Sequence, residues 1–126
     1  MPYYDQGAVL VFKTEFYSTC CGDSPVLVFL EELQLSCQDH QIQYRQLVRA
    51  INYLELKGTF IGEPHTKHLE DNIWELRPGC NRVLYFFFRE NTFVLLHAFR
   101  KRTNKTPCSE ILKAKVERED WISRHP

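Results

Sequence analysis

The sequence has no excess of either charge, because sixteen Lys and Arg residues balance sixteen Asp and Glu residues. It also lacks any apolar run approaching the roughly 20 residues that a membrane-spanning helix needs. The N-terminal stretch MPYYDQGAVLVF has no basic region and no small-residue cleavage site, so it is not typical of a secretory signal peptide. These absences predict a cytoplasmic protein that does not bind a membrane.

Several motifs of catalysis and cofactor binding are also missing. The sequence contains no P-loop, no G-x-G-x-x-G and no G-x-S-x-G, which disfavours phosphate-cofactor enzymes and serine hydrolases. Its five cysteines are odd in number and include no C-x-x-C, a pattern that predicts free thiols rather than disulfides or zinc. We therefore expect no cofactor and no metal. His65 and His68 leave a metal site open as an alternative.

What the sequence does contain is enough apolar material for one packed domain. Hydrophobic residues make up 44% of the 126 residues and aromatic residues 13%, so we expect a single domain over residues 1–126. The charges are unevenly placed. Residues 1–64 hold four Lys and Arg against eight Asp and Glu, and residues 65–126 hold twelve against eight. A basic half of this kind favours a polyanionic partner, although small proteins also show uneven charge by chance.

The order of apolar periodicities predicts an α+β fold, β-α-α-β-β-β-α, with the helices against one face of an antiparallel meander. The segment 58–72 is predicted as a loop with room for a short strand. The third and fourth predicted strands are apolar on both of their alternating faces, so a partner chain is a candidate cover for the second face. Along the fourth strand, alternation predicts one face with Val94, Leu96 and Ala98 and the other with Phe93, Leu95, His97 and Phe99. The predicted elements are strands at 8–17, 73–77, 82–89 and 92–99, and helices from Pro25, at about 39–57 and from Thr106–Pro107.

Local signals refine the predicted helices. Ser24 is expected to cap the first helix with its hydroxyl, and Gly58 is expected to end the second. Thr106 and Pro107 are expected to be the cap and first residue of the last helix. The inward stripes are predicted to be Ile42, Leu47, Val48, Ile51 and Leu54 in the second helix, and Ile111, Leu112, Val116, Trp121 and Ile122 in the last.

Positive charge is concentrated where the predicted strands end. Arg77 ends one strand, Arg82 begins the next after a short turn, and residues 100–105 hold four cations and no acid. Because the start of strand 82–89 lies beside the end of strand 92–99 in an antiparallel meander, these cations should gather at one end of the sheet. Arginine binds phosphate through a planar fork of N–H donors, so the cluster suits RNA, whose 2′-hydroxyl is an internal nucleophile. A merely solvated basic loop is the alternative.

A few other side chains are candidates for chemistry or RNA contact. Lys101, beside several arginines, is a candidate for proton transfer. Lys67 and His68 are candidate RNA contacts. His97 is expected to be a satisfied, half-buried strand residue, with proton transfer as the alternative. Tyr85 or Trp74 could stack on a base, while Trp121 is expected to anchor the last helix.

The two strings EPHTKHLEDNIWELRPGCNRVLYFF and FVLLHAFRKRTNKTPCSEI resemble the RelE/ParE toxin superfamily, and within it the HigB-like toxins, which include phage-derived members. The matching motifs are K-x-L-x-x-x-[IL]-W-E-L-R, R-[VIL]-x-[YF] and L-L-H-x-F-x-K-[RK]-T-x-K-T-P. The upstream GDSPVLVFLEEL resembles G-x-S-P-V-x-x-F-L of the same toxins. The resemblance covers roughly residues 9–122.

This resemblance implies a compact RelE-like α+β fold and the toxin of a type II toxin–antitoxin pair. It implies a metal-independent, ribosome-dependent endoribonuclease that cuts mRNA, with a helix-turn-helix antitoxin as partner. By motif, the catalytic positions would be Arg77, Arg82, Lys101 and Arg102, with Arg100 and Lys105 as helpers. His125 is the one histidine close to the chain end, where some relatives carry a proton-transfer residue, but we do not expect it to be equivalent.

A non-catalytic protein on the same fold is the alternative. The superfamily includes gyrase inhibitors that cleave no RNA, so the fold does not by itself fix the activity. A former toxin that now acts only as an antitoxin-bound regulator belongs to the same alternative. The neutral total charge also weakens nonspecific RNA affinity, which depends on counterion release, unless the ribosome positions the message.

Overall fold

Residues 11–126 are described by a computed structural model, in which the strands form one sheet between two layers of helix. The strands are β1 (Lys13–Phe16), β2 (Thr66–Glu70), β3 (Ile73–Leu76), β4 (Asn81–Phe87) and β5 (Thr92–Arg100). The helices are α1 (Pro25–Leu35), α2 (Gln38–Lys57) and α3 (Cys108–Arg124), and a 3-10 helix spans Gly58–Ile61. The predicted α+β class is confirmed. The first part of the predicted first strand, at 8–10, lies outside the described residues.

The five strands lie in the order β1-β5-β4-β3-β2. β2 to β5 form an antiparallel meander, as predicted, and β1 adds to its edge in parallel with β5. β2 is the short strand that the sequence left open. The β4–β5 hairpin turns through Glu90 and Asn91, whose φ angles are 52° and 59°. Two consecutive positive φ angles match the twist of paired strands, which keeps this hairpin tight.

One face of the sheet packs against α1 and α2. Buried residues of this core include Val26, Leu47 and Leu54 from the helices and Tyr85 and Leu95 from the sheet.

The predicted stripe of α2 is wrong at its first position. Ile42 is exposed, and Gln43 is buried in its place. The Gln43 side chain is satisfied there because its Oε1 accepts a hydrogen bond from Asn81 Nδ2 at 3.1 Å. A polar pair, rather than an apolar contact, therefore links α2 to the start of β4.

The second face is covered by α3 of the same chain. Ala114 and Trp121 pack there on Ile73, Leu84 and Phe86, which corrects the expectation of helices on one face only. Trp121 anchors α3 as predicted.

Of the remaining predicted positions of the α3 stripe, Ile111 is half-buried, whereas Leu112, Val116 and Ile122 are exposed, so the prediction is wrong for those three. Leu112 and Val116 are 61% and 69% exposed, while Ala114 and Glu117 are buried. Small Ala114 lets the helix approach the sheet closely, and this choice of face brings Glu117 inward.

Two of the three predicted helix ends differ in detail. Ser24 occupies the N-cap of α1, but its buried hydroxyl has no hydrogen-bond partner among the described residues. Pro107, rather than Thr106, holds the N-cap position of α3, so Thr106 is free for another contact. Gly58 ends α2 as predicted, with φ of 60° and its N–H donated to the Leu54 carbonyl.

A β-bulge in β5 breaks the predicted alternation of its side chains. Tyr85 pairs with Leu95 and Leu84 with His97, so Leu96 is the extra residue. Leu96 packs in the core between the sheet and α3, which we term the α3-side core. Ala98 packs in the core between the sheet and helices α1 and α2, and His97 contacts side chains of α3. The sequence placed Leu96 and Ala98 on one face and His97 on the other. The bulge, which re-aims side chains locally, overturns that assignment.

All five cysteines are free, as predicted. Among residues 11–126, no helix has the length and apolar character that crossing a bilayer requires.

Candidate nucleic-acid interface at one end of the sheet

The start of β4, the end of β5 and the loop before α3 enclose a cavity of about 270 Å³, which we term the strand-end pocket. Its position follows from the strand register, in which Arg82 pairs with Phe99 and Asn81 with Arg100. The convergence of charge predicted from the short turns is therefore present. The cavity is lined by Arg82, Phe99, Arg100, Lys101, Arg102, Thr103, Asn104, Lys105, Thr106, Pro107 and Glu110.

A second cavity of about 380 Å³, the edge pocket, adjoins the first. Both cavities are lined by Asn104, Lys105 and Thr106, so one loop separates them. The edge pocket receives Lys67 and His68 from β2 and Arg77 from the residue after β3. Every cation that the sequence put forward thus lines one of two neighbouring cavities. The catalytic or RNA-binding roles assigned to these residues stay predictions.

The loop between β5 and α3 is fixed to the sheet at both of its ends. At one end the Lys101 N–H donates to the Cys80 carbonyl at 2.8 Å. At the other end the Thr106 hydroxyl donates to the Glu75 carboxylate. Within the loop, Thr103 Oγ1 donates to the Lys105 carbonyl at 2.7 Å. These bonds hold the backbone that carries the cations.

Glu75 lies at the centre of this arrangement, and sequence reasoning gave it no role. The residue is only 2% exposed, and its Oε2 is 3.8 Å from Arg77 Nε and 3.9 Å from Arg82 Nε. Burying a carboxylate is costly unless cations and hydrogen bonds compensate it, and here two arginines and Thr106 do so. Glu75 therefore orients both arginines and the loop. The sequence did contain one indication of where Glu75 lies. Side chains alternate along a strand, so Glu75 and its neighbour Trp74 must lie on opposite faces of the sheet.

Arg82 forms the floor of the strand-end pocket. Its buried guanidinium donates from Nη1 to the carbonyls of Gly79 at 2.9 Å and Asn81 at 2.7 Å. Burial lowers the pKa of Arg82, an effect that the Glu75 carboxylate opposes. The group stays protonated at neutral pH because an arginine starts from so high a value. Both hydrogen bonds that it forms with the described chain use Nη1, so Nη2 can donate to a ligand.

The other cations of the strand-end pocket are accessible. Arg100, Arg102 and Lys105 are exposed and Lys101 is half-buried. Within the part of the chain that the structure describes, none of these four forms an ion pair with an acid. Charge that is not neutralised inside the protein is available to an anion from outside.

The two aromatic candidates for stacking on a base, Tyr85 and Trp74, lie in different surroundings. Tyr85 is fully buried and shares a hydrogen bond of 2.5 Å with Thr66 Oγ1, so the suggestion that it stacks on a base is wrong. Burial raises the pKa of Tyr85 to about 12. Trp74 is half-buried in the core between the sheet and helices α1 and α2, and its ring lies in an edge-to-face contact with the His68 ring, 5.0 Å between centroids. His68 itself donates from Nε2 to the Asp71 carbonyl at 2.6 Å.

His125 lies at the other end of the sheet. Its ring stacks on Trp121 at 3.7 Å and lines a separate cavity with Phe88 and Thr92. It is therefore remote from both cation-lined pockets, as expected. Among the described residues, no cluster of three or more His, Cys, Asp or Glu side chains is arranged to hold a metal ion.

His97 is more deeply placed than predicted. It is 2% exposed rather than half-buried, and both ring nitrogens meet carboxylates. Nδ1 is 2.6 Å from Glu117 Oε1, and Nε2 is 2.9 Å from Glu110 Oε1. The sequence gave no role to either glutamate. Helical spacing of seven residues puts the two on one side of α3, which was the signal to follow.

A comparison with protein-family models places the chain in a family. The family model described as "Phage derived protein Gp49-like (DUF891)" matches residues 34–119, which include every residue of both pockets. No curated protein matches the chain.

Proposed function

Since the chain belongs to the family of phage-derived Gp49-like proteins, we propose that it is the toxin of a type II toxin–antitoxin pair. We further propose that it is a metal-independent, ribosome-dependent endoribonuclease that cuts mRNA and so inhibits translation. One observation carries the enzymatic part of this proposal. Arg82 and the four cations of residues 100–105 line a single cavity. Among the described residues, no acid forms an ion pair with any of these four loop cations.

The chemistry of RNA cleavage suits such a cavity. When the 2′-oxygen attacks the neighbouring phosphorus, negative charge grows on the two non-bridging oxygens. Fixed guanidinium and ammonium groups stabilise that charge more than they stabilise the ground state, and the effect is large where water is partly excluded. Hydrogen bonds hold the Arg82 guanidinium, and the loop that carries the other cations is fixed through Lys101 and Thr106. These cations therefore need little reorganisation when the transition state forms.

The proposed roles follow the exposure of each side chain. Arg82 and Lys101 would contact the scissile phosphate, with Arg102 beside it and Arg77 in the adjoining edge pocket. The exposed Arg100 and Lys105, with Lys67 and His68 in the edge pocket, would bind the flanking nucleotides. In the cell we propose a helix-turn-helix antitoxin as the partner that holds the toxin inactive.

The test is cleavage of a labelled message held on programmed ribosomes, together with growth arrest after induction. We expect Lys101→Ala combined with Arg102→Ala to lower the cleavage rate at least about 100-fold, since each removes charge from the transition state. Lys113→Ala, at an exposed lysine of α3 that lines neither pocket, is the matched control and should cleave normally.

Two results would contradict the proposal. One is a folded double variant that still arrests growth and cuts mRNA like the unaltered protein. The other is growth arrest with intact messages and damaged DNA, which would favour a non-catalytic gyrase inhibitor on the same fold.

A further inference from the structure

We propose that Glu110 is the general base of the cleavage reaction and that His97 and Glu117 position it, an inference that rests on the proposed function. The three residues form a hydrogen-bonded line from the α3-side core to the strand-end pocket. Glu117 at the inner end is buried, and Glu110 at the outer end has a side chain that is 28% exposed and lines the cavity.

The two contacts along this line together require two hydrogens. Each of the two contacts between His97 and a carboxylate, at 2.6 and 2.9 Å, needs one hydrogen. Either the imidazole carries both, between two carboxylates, or it carries one and a carboxyl group carries the other. The two arrangements have the same total charge and differ only in the position of one proton. When Glu110 takes up a proton from outside, a shift of the shared proton lets His97 and Glu117 take part of the change in charge.

A purely structural role would not require the outer carboxylate. Glu117 alone ties α3 to β5 through His97 Nδ1, and it does so in the buried interior. Glu110 instead turns a carboxylate towards a cavity whose other charged lining groups are all cations. Its Oε1 is hydrogen-bonded to His97, which leaves Oε2 for a ligand, since a carboxylate has about four acceptor sites.

The strand-end pocket offers few other bases. Among the described residues that line it, Glu110 is the one carboxylate, and none is a histidine. The charged groups that line the cavity with Glu110 are Arg82 from β4, Arg100 from β5, and Lys101, Arg102 and Lys105 from the loop. His97 faces it from β5 and Glu117 extends the line along α3. In this proposal the cations bind the phosphate, and the Glu110 carboxylate takes the proton of the 2′-hydroxyl.

The step balances as an internal transesterification. Glu110 Oε2 takes the proton of the 2′-hydroxyl while the 2′-oxygen bonds to phosphorus. The bond between phosphorus and the 5′-oxygen breaks, and that oxygen takes a proton from a water molecule. The products are a 2′,3′-cyclic phosphate and a 5′-hydroxyl end. His97 and Glu117 hold the carboxylate in place and share the charge change, as positioning residues.

The experiment compares Glu110→Gln with unaltered protein in single-turnover cleavage of a labelled message on programmed ribosomes, across pH. We expect cleavage by Glu110→Gln to fall about 10²- to 10⁴-fold, the usual worth of a general base. Message binding should persist, because the cations remain. The pH profile of cleavage should also differ between the two proteins, because the variant has no carboxylate at position 110 to take the proton. Glu119→Gln, at an exposed acid of the same helix, is the matched control.

Glu117→Gln tests the positioning role, because it removes the inner charge and leaves Glu110 in place. We expect it to shift the pH profile and to slow cleavage less than Glu110→Gln does. Folding is checked by melting temperature, and Glu110→Asp, which keeps the carboxylate, should recover part of the activity.

The outcomes separate the two proposals. Unaltered protein that cleaves no message contradicts the proposed function, and the inference falls with it. Cleavage by Glu110→Gln at the normal rate, or with an unchanged pH profile, overturns the inference and leaves the nuclease standing.

Discussion

A single buried carboxylate organises the cation-lined end of this protein. Glu75 contacts two arginines and the hydroxyl of Thr106, and these three groups come from different parts of the chain. Arginine side chains close to one another would repel without a negative charge between them. The carboxylate therefore makes it possible to hold several cations near one cavity before any phosphate arrives.

This role predicts that Glu75→Gln destabilises the protein and loosens the loop. Removing one partner of a buried charge cluster costs about 3 kcal/mol, because the remaining charges stay buried without compensation. Urea unfolding measures the loss of free energy. Glu31→Gln, at an exposed acid of α1, is the control and should unfold like the unaltered protein. Equal stability of the Glu75 variant would show that the arginines need no internal counter-charge.

At the scale of secondary-structure elements, the end of α2 is tightly constrained. Gly58 has a φ of 60°, and a Cβ built on it would lie 2.6 Å from Phe12 Cε2. The glycine thus serves two purposes, a left-handed helix end and close packing against the residue that precedes β1. Gly22 has a φ of 90° but no atom within 4 Å of an added Cβ.

The pair permits a matched comparison of Gly58→Ala with Gly22→Ala. Both substitutions force alanine into a left-handed conformation, which costs of order 1–3 kcal/mol. Only Gly58→Ala also displaces a phenylalanine, so we expect it to lower the free energy of unfolding by about 1 kcal/mol more. Chemical denaturation of the two variants measures the difference. Equal losses would mean that Phe12 moves aside freely.

Across the protein as a whole, neutrality conceals a separation of charge. The first 64 residues are net acidic and the remainder net basic, and the cations of the basic part meet at the strand-end pocket. A neutral protein of this kind should bind RNA through a few localised contacts rather than through a general attraction. Its affinity should therefore depend only moderately on salt.

If the proposed function is correct, the salt dependence of RNA affinity should report the number of these phosphate contacts. Each phosphate contact to single-stranded RNA adds about 0.7 to the slope of log affinity against log salt. Lys101→Gln with Arg102→Gln should therefore lower the slope by about 1.4. Titration of a labelled single-stranded RNA at several salt concentrations measures it. Lys113→Gln should leave the slope unchanged, and a double variant with an unaltered slope would place the RNA elsewhere.

The chain's own periodicities and turns were sufficient to predict the α+β class, the meander, α2 and the gathering of cations at one end of the sheet. Those features are local in origin. Short turns after Arg77 and at Glu90–Asn91 force neighbouring strands to pair, and pairing brings Arg82 beside the residues that follow β5. Periodicity was less informative for α3, whose buried residues are Ala114, Glu117 and Trp121 rather than a continuous apolar stripe.

Glu75 and the line from Glu110 through His97 to Glu117 emerged only once the chain was folded. Their contacts join residues distant in sequence, such as His97 and Glu117, and depend on where α3 docks. The bulge at Leu96 also changes the face of the sheet on which His97 lies. An alternating sequence pattern does not predict where a bulge will occur. Burial then sets the chemistry, because a charge removed from water must find its partner in three dimensions.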